Sequence, residues 1–400
     1  MSHQLIMGHR AADVATSWQS FCERIREIGN EMLQLEGTGS PERAAETLLF
    51  ATRVLRGALE GRLDGFDSEY PRLMWWDRIT AGSAPVAPNV DNSYVVAKID
   101  GRQTYRLRIR LGSFDEVNIS AHCGVYGEAG FQEKSRDVTL RDMTIADGHA
   151  ELILSNQAQQ GRGLEIPAAA KWLFIRIYYY DWEKGAPPEV TLSCTSVHER
   201  PPNSIPASHL MQGLHDAAEW LRNQVLADRE FTQHFFGRAN GKKNVFFAAS
   251  HEAAGPPAIR YGGAEFELAP NEALITEFEV PKAPYWIIQW HRKPWGDSAD
   301  FFNHITSLNH LQARRDADGK VRIVFAHEDP GIQNWISTER RSTGIIYTRW
   351  FWSETVPVPI GKVVPFAEVR AHLPAETPAF SPDQRARQLA IRRAHLARRY

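Results

Sequence analysis

The chain has 400 residues, which is longer than one hydrophobic core usually serves, so its length predicts two domains. Apolar residues make up 43% of the chain and charged residues 24%, which argues against a mostly disordered, collagen-like or multi-span membrane protein. The net charge of −2 leaves no overall positive field of the kind that attracts nucleic acid. We therefore expect neither a nucleic-acid nor a membrane partner.

Two local features depart from this average. The stretch 381–400 holds six arginines and one aspartate, and its pattern favours a solvated helix docked on a more acidic body over a membrane-surface or nucleic-acid contact. The chain also holds 12 tryptophans, 11 tyrosines and 19 phenylalanines. Because many tryptophans lie beside polar motifs, we expect part of this surplus to line a pocket.

The cysteines and the N-terminus bear on the compartment. Three cysteines lie far apart without a C-x-x-C pair, which fits a reducing cytosol. The N-terminus lacks the apolar core of a signal peptide, and no apolar run approaches the ~18 residues of a membrane span. The sequence predicts a cytoplasmic, soluble protein.

Two helices are the first predicted elements. Apolar residues follow 3–4 spacing over 10–36, and the glycines at 37 and 39 end that pattern. Ser40 and Pro41 then supply an N-cap and a first-turn proline for a second helix, which runs to about residue 59. Together they predict a helical hairpin.

From residue 94 the apolar period changes to two. In YRLRIRL, Tyr105, Leu107 and Ile109 share one face of a predicted strand, and arginines occupy the other. Short strands separated by turn signals are typical of an antiparallel sandwich or barrel. The predicted strands here are 105–111, 117–123, 138–145, 149–155, 171–180 and 189–196.

A proline-rich segment at 198–208 predicts a domain boundary. A helix is predicted over 207–236, a second β series over about 244–366, and a final helix from residue 381. We therefore predict a mainly β chain with flanking helices and two antiparallel, jelly-roll-like β-sandwich domains. The predicted units are a helical segment at 1–80, a first sandwich at 81–198, a linker and helix at 199–240, a second sandwich at 241–372 and a basic helix at 373–400.

Several well-known functional motifs are missing from the sequence. It has no G-x-G-x-x-G after a strand, no P-loop, no H-E-x-x-H and no G-x-S-x-G, which argues against kinases, P-loop NTPases, zincins and α/β-hydrolases. His291, His304 and His310 form a weak alternative set of metal ligands in a β domain. Their spacing favours structural or surface roles, so we predict no metal and no organic cofactor.

Two polar stretches lie at predicted strand ends. In PNVDNSY at 88–94, Asn92 either caps a turn or faces a cleft, and turn chemistry is favoured. In YYYDW at 178–182, alternation places Tyr179 and Asp181 on one face. Asp181 beside so many rings is a candidate acid–base carboxylate with a raised pKa. A hydrogen-bonding role at the strand end is the favoured alternative.

The stretch YWIIQWHR at 285–292 is typical of a strand that emerges into a pocket, because both of its faces carry polar residues. Gln289 and His291 share one face, and Trp290 lies on the other. Such rings stack on sugars or form the walls of an apolar site, although core packing explains them equally well. Three further candidates follow a D-P-G turn or lie on a late strand: Asn334, Trp335 and Arg349.

The motifs also form a larger pattern: PNVDN at 88–92, YRLRIRLG at 105–112, YYYDW at 178–182, SLN at 307–309 before DG at 318–319, AHEDPG at 326–331 with NW at 334–335, and TRW at 348–350. This pattern resembles a bacterial family known as domain of unknown function 1214, which is often paired with domain of unknown function 1254. The resemblance spans about residues 85–370. It implies two jelly-roll-like sandwiches with flanking helices and a weak association with carbohydrate or small-molecule metabolism, and it implies no catalytic residues.

The leading hypothesis is an enzyme of lyase or hydrolase type that acts on a small apolar or aromatic molecule, with Asp181 or His291 as the acid or base. One alternative is a non-catalytic carbohydrate-binding or assembly protein, which predicts a shallow aromatic platform and no buried ionisable group. A histidine-ligated metal enzyme is the other. The candidate substrate-binding residues are Asn92, Tyr179, Gln289, Trp290, Asn334, Trp335 and Arg349.

Overall fold

The computed structural model of the protein describes residues 11–36, 39–65, 67–76, 87–157, 163–197, 204–252 and 255–399. In these residues the chain is mainly β, with four sheets, an N-terminal helix pair, a linking helix and a C-terminal helix. The predicted fold class of two antiparallel sandwiches with flanking helices is confirmed. Part of the proline-rich segment predicted as a boundary, 198–203, lies outside the described residues.

Helices α1 (Ala11–Glu36) and α2 (Pro41–Leu59) form the predicted hairpin, and α2 continues into a π-helical turn at Glu60–Asp64. The Ser40 hydroxyl accepts a hydrogen bond from the backbone N–H of Arg43 at 3.3 Å, so the N-cap starts α2 as predicted. Helix α3 (Ala207–Gly237) packs on both helices. No helix among the described residues has the length and apolar character to cross a bilayer.

The first sandwich follows from strand alternation. Tyr105, Leu107 and Ile109 are fully buried between its two sheets, whereas the arginines between them are exposed. Its strands are β1 (Met74–Trp75), β2 (Asn92–Lys98), β3 (Tyr105–Arg110), β4 (Glu116–His122), β5 (Thr144–Ala146), β6 (His149–Ser155), β7 (Gly163–Glu165), β8 (Trp172–Tyr178) and β9 (Val190–Cys194). One sheet has the order β1-β2-β8-β4, the other has the order β5-β6-β3-β9, and β7 runs parallel to β6.

The prediction of one continuous strand over 138–145 is wrong. Val138 makes an isolated bridge to Ile119, and a 3₁₀ turn at Leu140–Asp142 separates it from β5. The Asp142 carboxylate accepts a hydrogen bond from the backbone N–H of Thr139 at 2.9 Å. This cap favours the turn over extended backbone.

The second sandwich has a core rich in tryptophan, which includes Trp286, Trp290 and Trp350. Its strands are β10 (Phe247–Ser250), β11 (Ile259–Glu267), β12 (Glu272–Glu279), β13 (Tyr285–His291), β14 (Ser307–Asn309), β15 (Lys320–Ala326), β16 (Trp335–Ser337), β17 (Thr343–Phe351) and β18 (Ile360–Pro365). One sheet has the order β10-β11-β17-β13-β14 and the other β16-β15-β12-β18, with β16 parallel to β15. A 3₁₀ segment at Phe366–His372 follows β18.

The two sandwiches meet through one outer sheet face of each. Tyr178 of the first sandwich packs with Tyr285 and Phe351 of the second. The predicted C-terminal helix is α4 (Pro382–Arg399). It is docked along this seam, with Leu396 buried in the same cluster and Arg385 paired to Asp329 at 2.9 Å. The seam positions the two polar regions described next.

Candidate functional site

A cleft opens at the seam between the two sandwiches, with a cavity volume of about 90 Å³. Aromatic rings, two arginines, two asparagines and one glutamate dominate its lining. The described residues that carry these groups are Asn89, Asn92, Tyr94, Tyr126, Phe131, Arg176, Tyr178, Phe231, Glu252, Tyr261, Tyr347, Arg349 and Phe351. The sequence analysis expected tryptophan walls, and this is wrong for the described lining, in which the rings belong to tyrosine and phenylalanine.

Strand register brings the polar side chains of the cleft together. In the first sandwich, Tyr94 pairs with Arg176, and Asn92 pairs with the neighbouring Tyr178. In the second sandwich, Tyr261 pairs with Arg349 across β11 and β17. Because successive side chains of a strand point to opposite faces, every second residue of each strand faces the cleft.

Arg349 is the buried cation of the cleft. Arg349 is only 4% exposed. Its guanidinium carbon lies 5.1 Å from the centroid of the Tyr347 ring and 5.9 Å from that of the Tyr261 ring. One guanidinium nitrogen, Nη2, donates to the Ala87 carbonyl, whereas Nη1 has no hydrogen-bond partner among the described residues. A buried cation without a counter-ion is costly, so this arrangement favours an anion at Nη1.

The other charged groups of the cleft have protein partners. Arg176 donates from Nη1 to the Asn118 side chain at 2.9 Å. The Glu252 carboxylate accepts from Arg238 at 2.7 Å, and burial raises the pKa of Glu252. Arg349 therefore differs from its charged neighbours because one of its buried guanidinium nitrogens has no described hydrogen-bond partner.

Further buried polar atoms without a partner lie on the same sheet face and across the seam from it. They are Asn92 Oδ1, Gln289 Nε2 and the Tyr347 hydroxyl, whereas the buried His291 ring lies within reach of the Asp297 backbone. The rings of His291 and Tyr347 are perpendicular with centroids 5.3 Å apart. Buried polar groups are nearly always hydrogen-bonded in folded proteins, so this concentration points to a site that a ligand completes.

Burial sets the protonation states around the cleft. It raises the pKa of Tyr261 to about 12 and that of Tyr347 well above the usual value, so both phenols remain hydrogen-bond donors at neutral pH. Burial, with Arg349 and Arg292 nearby, lowers the pKa of His291 well below its usual value. The His291 imidazole is therefore neutral.

A second buried polar region, which we call the junction, surrounds Asp91. Its Oδ1 accepts a hydrogen bond from Trp182 Nε1 at 2.9 Å. Its Oδ2 accepts from the Tyr285 hydroxyl and from Asn309 Nδ2, each at 2.8 Å. Burial raises the pKa of Asp91 to about 6, against the opposing effect of these donors and of Arg392 and Arg399.

Helix α4 closes the junction with three buried side chains. Arg399 donates to the carbonyls of Val90 and Asn92, and Arg392 donates to the Phe301 carbonyl at 2.6 Å. Burial lowers the pKa of Arg392 to about 9. The third side chain, His395, stacks on Trp182 with ring centroids 4.8 Å apart. These contacts join both sandwiches and the tail helix, which is a structural role.

The structure places two of the predicted site residues in the described lining of the cleft, Asn92 and Arg349. Gln289 lies outside that lining, where it pairs in register with Tyr347 and its Oε1 accepts from the Val90 N–H at 3.2 Å. His291 lies behind Tyr347 rather than in the described lining. The other predicted residues lie elsewhere.

Asp181 does not have the environment that the sequence suggested. It pairs with Lys184 at 2.8 Å in a partly exposed turn, and the hydrogen bond from Lys184 lowers the pKa of Asp181. The expectation of a raised pKa is wrong, because the hydrogen bond and charge of Lys184 outweigh the opposing effect of burial. Tyr179 lies in the core of the first sandwich.

Three further predicted binding residues have structural contacts away from the cleft. Trp290 lies in the core of the second sandwich and donates to the Ser337 carbonyl at 2.7 Å. Asn334 donates to two backbone carbonyls of neighbouring turns and strands. The Trp335 ring lies 4.9 Å from the guanidinium of Arg385.

The three histidines of the metal alternative do not converge. His310 follows β14 and donates its N–H to the Trp286 carbonyl at 3.1 Å. His291 lies at the opposite end of β13, about 16 Å from Trp286 at the usual rise per strand residue. The described residues contain no group of three histidine, cysteine or acidic side chains placed to hold a metal ion.

Sequence reasoning assigned none of the five tyrosines of the cleft to the site and missed its second arginine. Tyr347 precedes the predicted Arg349 by two positions, and Arg176 precedes Tyr178 by two. Strand periodicity was therefore a usable signal for both. Tyr94 follows the predicted Asn92 by two positions on β2 and carried the same signal, whereas Tyr261 carried none because only the fold brings it to the seam.

Comparisons with known proteins identify a structure with the same fold but indicate no activity. No protein-family model and no curated protein matches the sequence. A crystal structure of an uncharacterised protein from Burkholderia cenocepacia is 24% identical, covers 90% of this chain and 100% of its own, and has a TM-score of 0.81. This likeness shows the fold alone.

Two other solved structures are much less similar. A protein from Vibrio parahaemolyticus is 12% identical, covers 79% of this chain and 98% of its own, and has a TM-score of 0.44. Oxalate decarboxylase from Bacillus subtilis is 9% identical, covers 71% of this chain and 73% of its own, and has a TM-score of 0.14. Neither likeness carries a functional argument, and the resemblance to domain of unknown function 1214 stays a prediction.

Proposed function

We propose that the cleft binds a small organic carboxylate with an apolar body. The observation that carries this proposal is Arg349, a buried guanidinium whose Nη1 has no described partner. A carboxylate at Nη1 would supply the missing counter-charge, and charge-assisted hydrogen bonds to arginine are among the strongest in proteins. The surrounding rings would cover the apolar part of the ligand.

The size of the cavity narrows the ligand class. A volume of about 90 Å³ equals the space of roughly three water molecules in the liquid, and it is below the ~150 Å³ of a cavity that admits benzene. A short-chain carboxylate fits this space without movement of the walls. A ring-bearing carboxylate requires the tyrosine walls to separate.

The polar groups favour specific recognition over a flat aromatic platform. The Tyr347 hydroxyl and Asn92 Oδ1 are buried and without a described partner, so they are free to bond a second polar group on the ligand. The carbohydrate-binding alternative expects no buried ionisable group, whereas Arg349 and His291 are buried here. That difference favours a small-molecule site.

Calorimetric titration tests the binding proposal with acetate, propionate, pyruvate and benzoate, each beside its neutral amide, at constant ionic strength. We expect at least one carboxylate to bind and its amide not to bind. Arg349→Gln should weaken that binding at least tenfold, because a charge-assisted hydrogen bond of about 1.5–3 kcal/mol is lost. Arg106→Gln, which changes an exposed strand arginine, is the matched control. Binding that survives in Arg349→Gln, or no binding of any carboxylate, contradicts the proposal.

A second proposal is that the protein acts on this carboxylate by acid–base chemistry. In this step the neutral His291 imidazole, whose ring lies 5.3 Å from that of Tyr347, would take a proton from the carbon next to the ligand's carbonyl and later return it to that carbon. The Tyr347 hydroxyl would donate a hydrogen bond to the carbonyl oxygen as that oxygen gains negative charge. The step requires the ligand's carbon to reach the imidazole beside Tyr347. Proton NMR tests it through exchange of pyruvate methyl protons for deuterium. We expect exchange with the wild type and at least tenfold slower exchange with Tyr347→Phe. No exchange by a protein that binds pyruvate favours the non-catalytic alternative.

A further inference from the structure

A second cavity lies where the helices meet the end of the second sandwich, with a volume of about 330 Å³. This size falls within the usual range of small-molecule sites. Cationic side chains outnumber acidic ones in its lining by five to two. The cations are Arg43, Arg229, Arg292, Lys293 and Arg341, and the acids are Glu46 and Asp297.

Three of these cations are already paired with carboxylates. Arg292 pairs with Asp297 at 3.1 Å and with Glu339 at 3.3 Å. Arg341 pairs with Glu46, and Lys293 pairs with Glu265 at 3.1 Å. These pairs hold the walls of the cavity in place.

Arg229 of α3 is different. Its guanidinium makes no hydrogen bond or ion pair within the part of the chain that the structure describes, and its Nε is buried without a partner. Gln233 lies one helical turn further along α3 and lines the same cavity. With Glu339 and Glu265 counted beside Glu46 and Asp297, four carboxylates face the five cations. The remaining positive charge and the unpaired Arg229 beside a neutral hydrogen-bonding group favour an anionic ligand.

We propose that this cavity binds the phosphate group of a phosphorylated small molecule. A phosphate offers three strong acceptor oxygens, which matches donors that converge from α2, α3 and the end of β13 better than the two oxygens of a carboxylate do. Trp295 also lines the cavity, and its indole would contact the apolar part of such a molecule. The site is separate from the cleft and does not depend on the carboxylate proposal.

Calorimetric titrations of the full-length protein with inorganic phosphate, phenyl phosphate and succinate, at constant ionic strength, test this proposal. We expect phenyl phosphate to bind, and we expect Arg229→Gln to weaken that binding at least tenfold. The control is Arg26→Gln, which changes an exposed arginine of α1 and should bind as the wild type does. Circular dichroism and urea unfolding of Arg229→Gln that match those of the wild type would show that the variant is folded.

The three probes separate the outcomes. Tighter binding of phenyl phosphate than of inorganic phosphate supports an organic phosphate as the ligand, and equal binding supports free phosphate; both support the phosphate site. Succinate that binds as tightly as phosphate with the same dependence on Arg229 overturns the ligand class. Phosphate binding that is equal in the wild type and Arg229→Gln overturns the site.

Discussion

The junction and the cleft are neighbouring polar regions on one seam, and both place arginines against aromatic rings. At the junction, each oxygen of Asp91 accepts a hydrogen bond, and Arg392 donates to a carbonyl and to a serine hydroxyl. In the cleft, Arg349 keeps a buried nitrogen without a described partner. His395 Nε2 at the junction is also without a described partner, so the difference between the regions lies in Asp91 and Arg392 against Arg349. Hydrogen-bonded charges of opposite sign stabilise the fold, whereas a buried cation with an unused donor beside a cavity is where a ligand gains binding energy.

This comparison separates the two uses of the polar motifs. PNVDN and SLN supply the Asp91 and Asn309 of the junction, and YYYDW supplies its Trp182. These motifs connect the sandwiches and the tail helix. The motifs also reach the candidate site, since PNVDN supplies Asn89 and Asn92 of the cleft and TRW supplies Arg349, whereas Tyr347 and Arg176 lie outside them.

The largest expected effect is at Asp91. Asp91→Asn should lower the free energy of unfolding by about 4 kcal/mol. The new amide NH₂ group would face either the Trp182 N–H or the donors from Tyr285 and Asn309, and Arg392 would lose a buried counter-charge. Urea unfolding followed by tryptophan fluorescence measures it. Asp181→Asn, at a partly exposed ion pair, is the control and should cost less than about 1 kcal/mol. Equal losses in the two variants would mean that the junction does not stabilise the fold.

Two tyrosines on adjacent strands give a matched pair. Tyr285→Phe removes a donor to Asp91 and should cost about 2 kcal/mol of unfolding free energy. Tyr347→Phe removes a buried hydroxyl without a described partner and should cost nothing or stabilise slightly. Thermal and urea unfolding of both variants check this, and an equal loss in both would remove the distinction between the regions.

The junction also predicts a pH dependence. Burial and the neighbouring arginines lower the pKa of His395 to about 2, whereas a histidine in the unfolded chain titrates near 6.5. The stability that comes from the neutral imidazole is therefore complete above pH ~6.5 and lost as the pH falls below it, by about 1.4 kcal/mol per pH unit.

The difference in unfolding free energy between the wild type and His395→Phe isolates this contribution. Between pH 6.5 and 5 we expect the wild type to lose stability relative to His395→Phe as the pH falls. From pH 7 to 8 the difference should stay constant. His215→Phe, at an exposed position of α3, provides the control. A difference that does not vary with pH would show that His395 titrates alike in both states.

Local sequence patterns predicted most of the helices and strands and some of their buried faces. Alternation in YRLRIRL correctly predicted β3, and the shared face of Gln289 and His291 is the face at the seam. The same pattern could not decide which face of β13 meets a pocket, because all seven residues of that strand are buried. Trp290 was assigned to the site for this reason and lies in the core.

The junction was beyond local reasoning. Asp91 and Asn309 are 218 residues apart in the chain, and neither motif contains information about its partner. The buried arginines of α4 were equally hidden, since the basic tail predicted charge pairing on a surface. Arg392 instead lies under Trp182 and donates to a backbone carbonyl.

The most direct test of the comparison replaces one buried arginine in each region with methionine and measures unfolding free energy by urea denaturation. The account predicts that Arg392→Met loses about 3 kcal/mol or more, because satisfied hydrogen bonds and the counter-charge of Asp91 are broken. It predicts that Arg349→Met loses about 1 kcal/mol or less, because removal of an uncompensated buried charge offsets the lost hydrogen bond to the Ala87 carbonyl and the lost ring contacts. An equal loss in the two variants would contradict the assignment of the cleft as the ligand site.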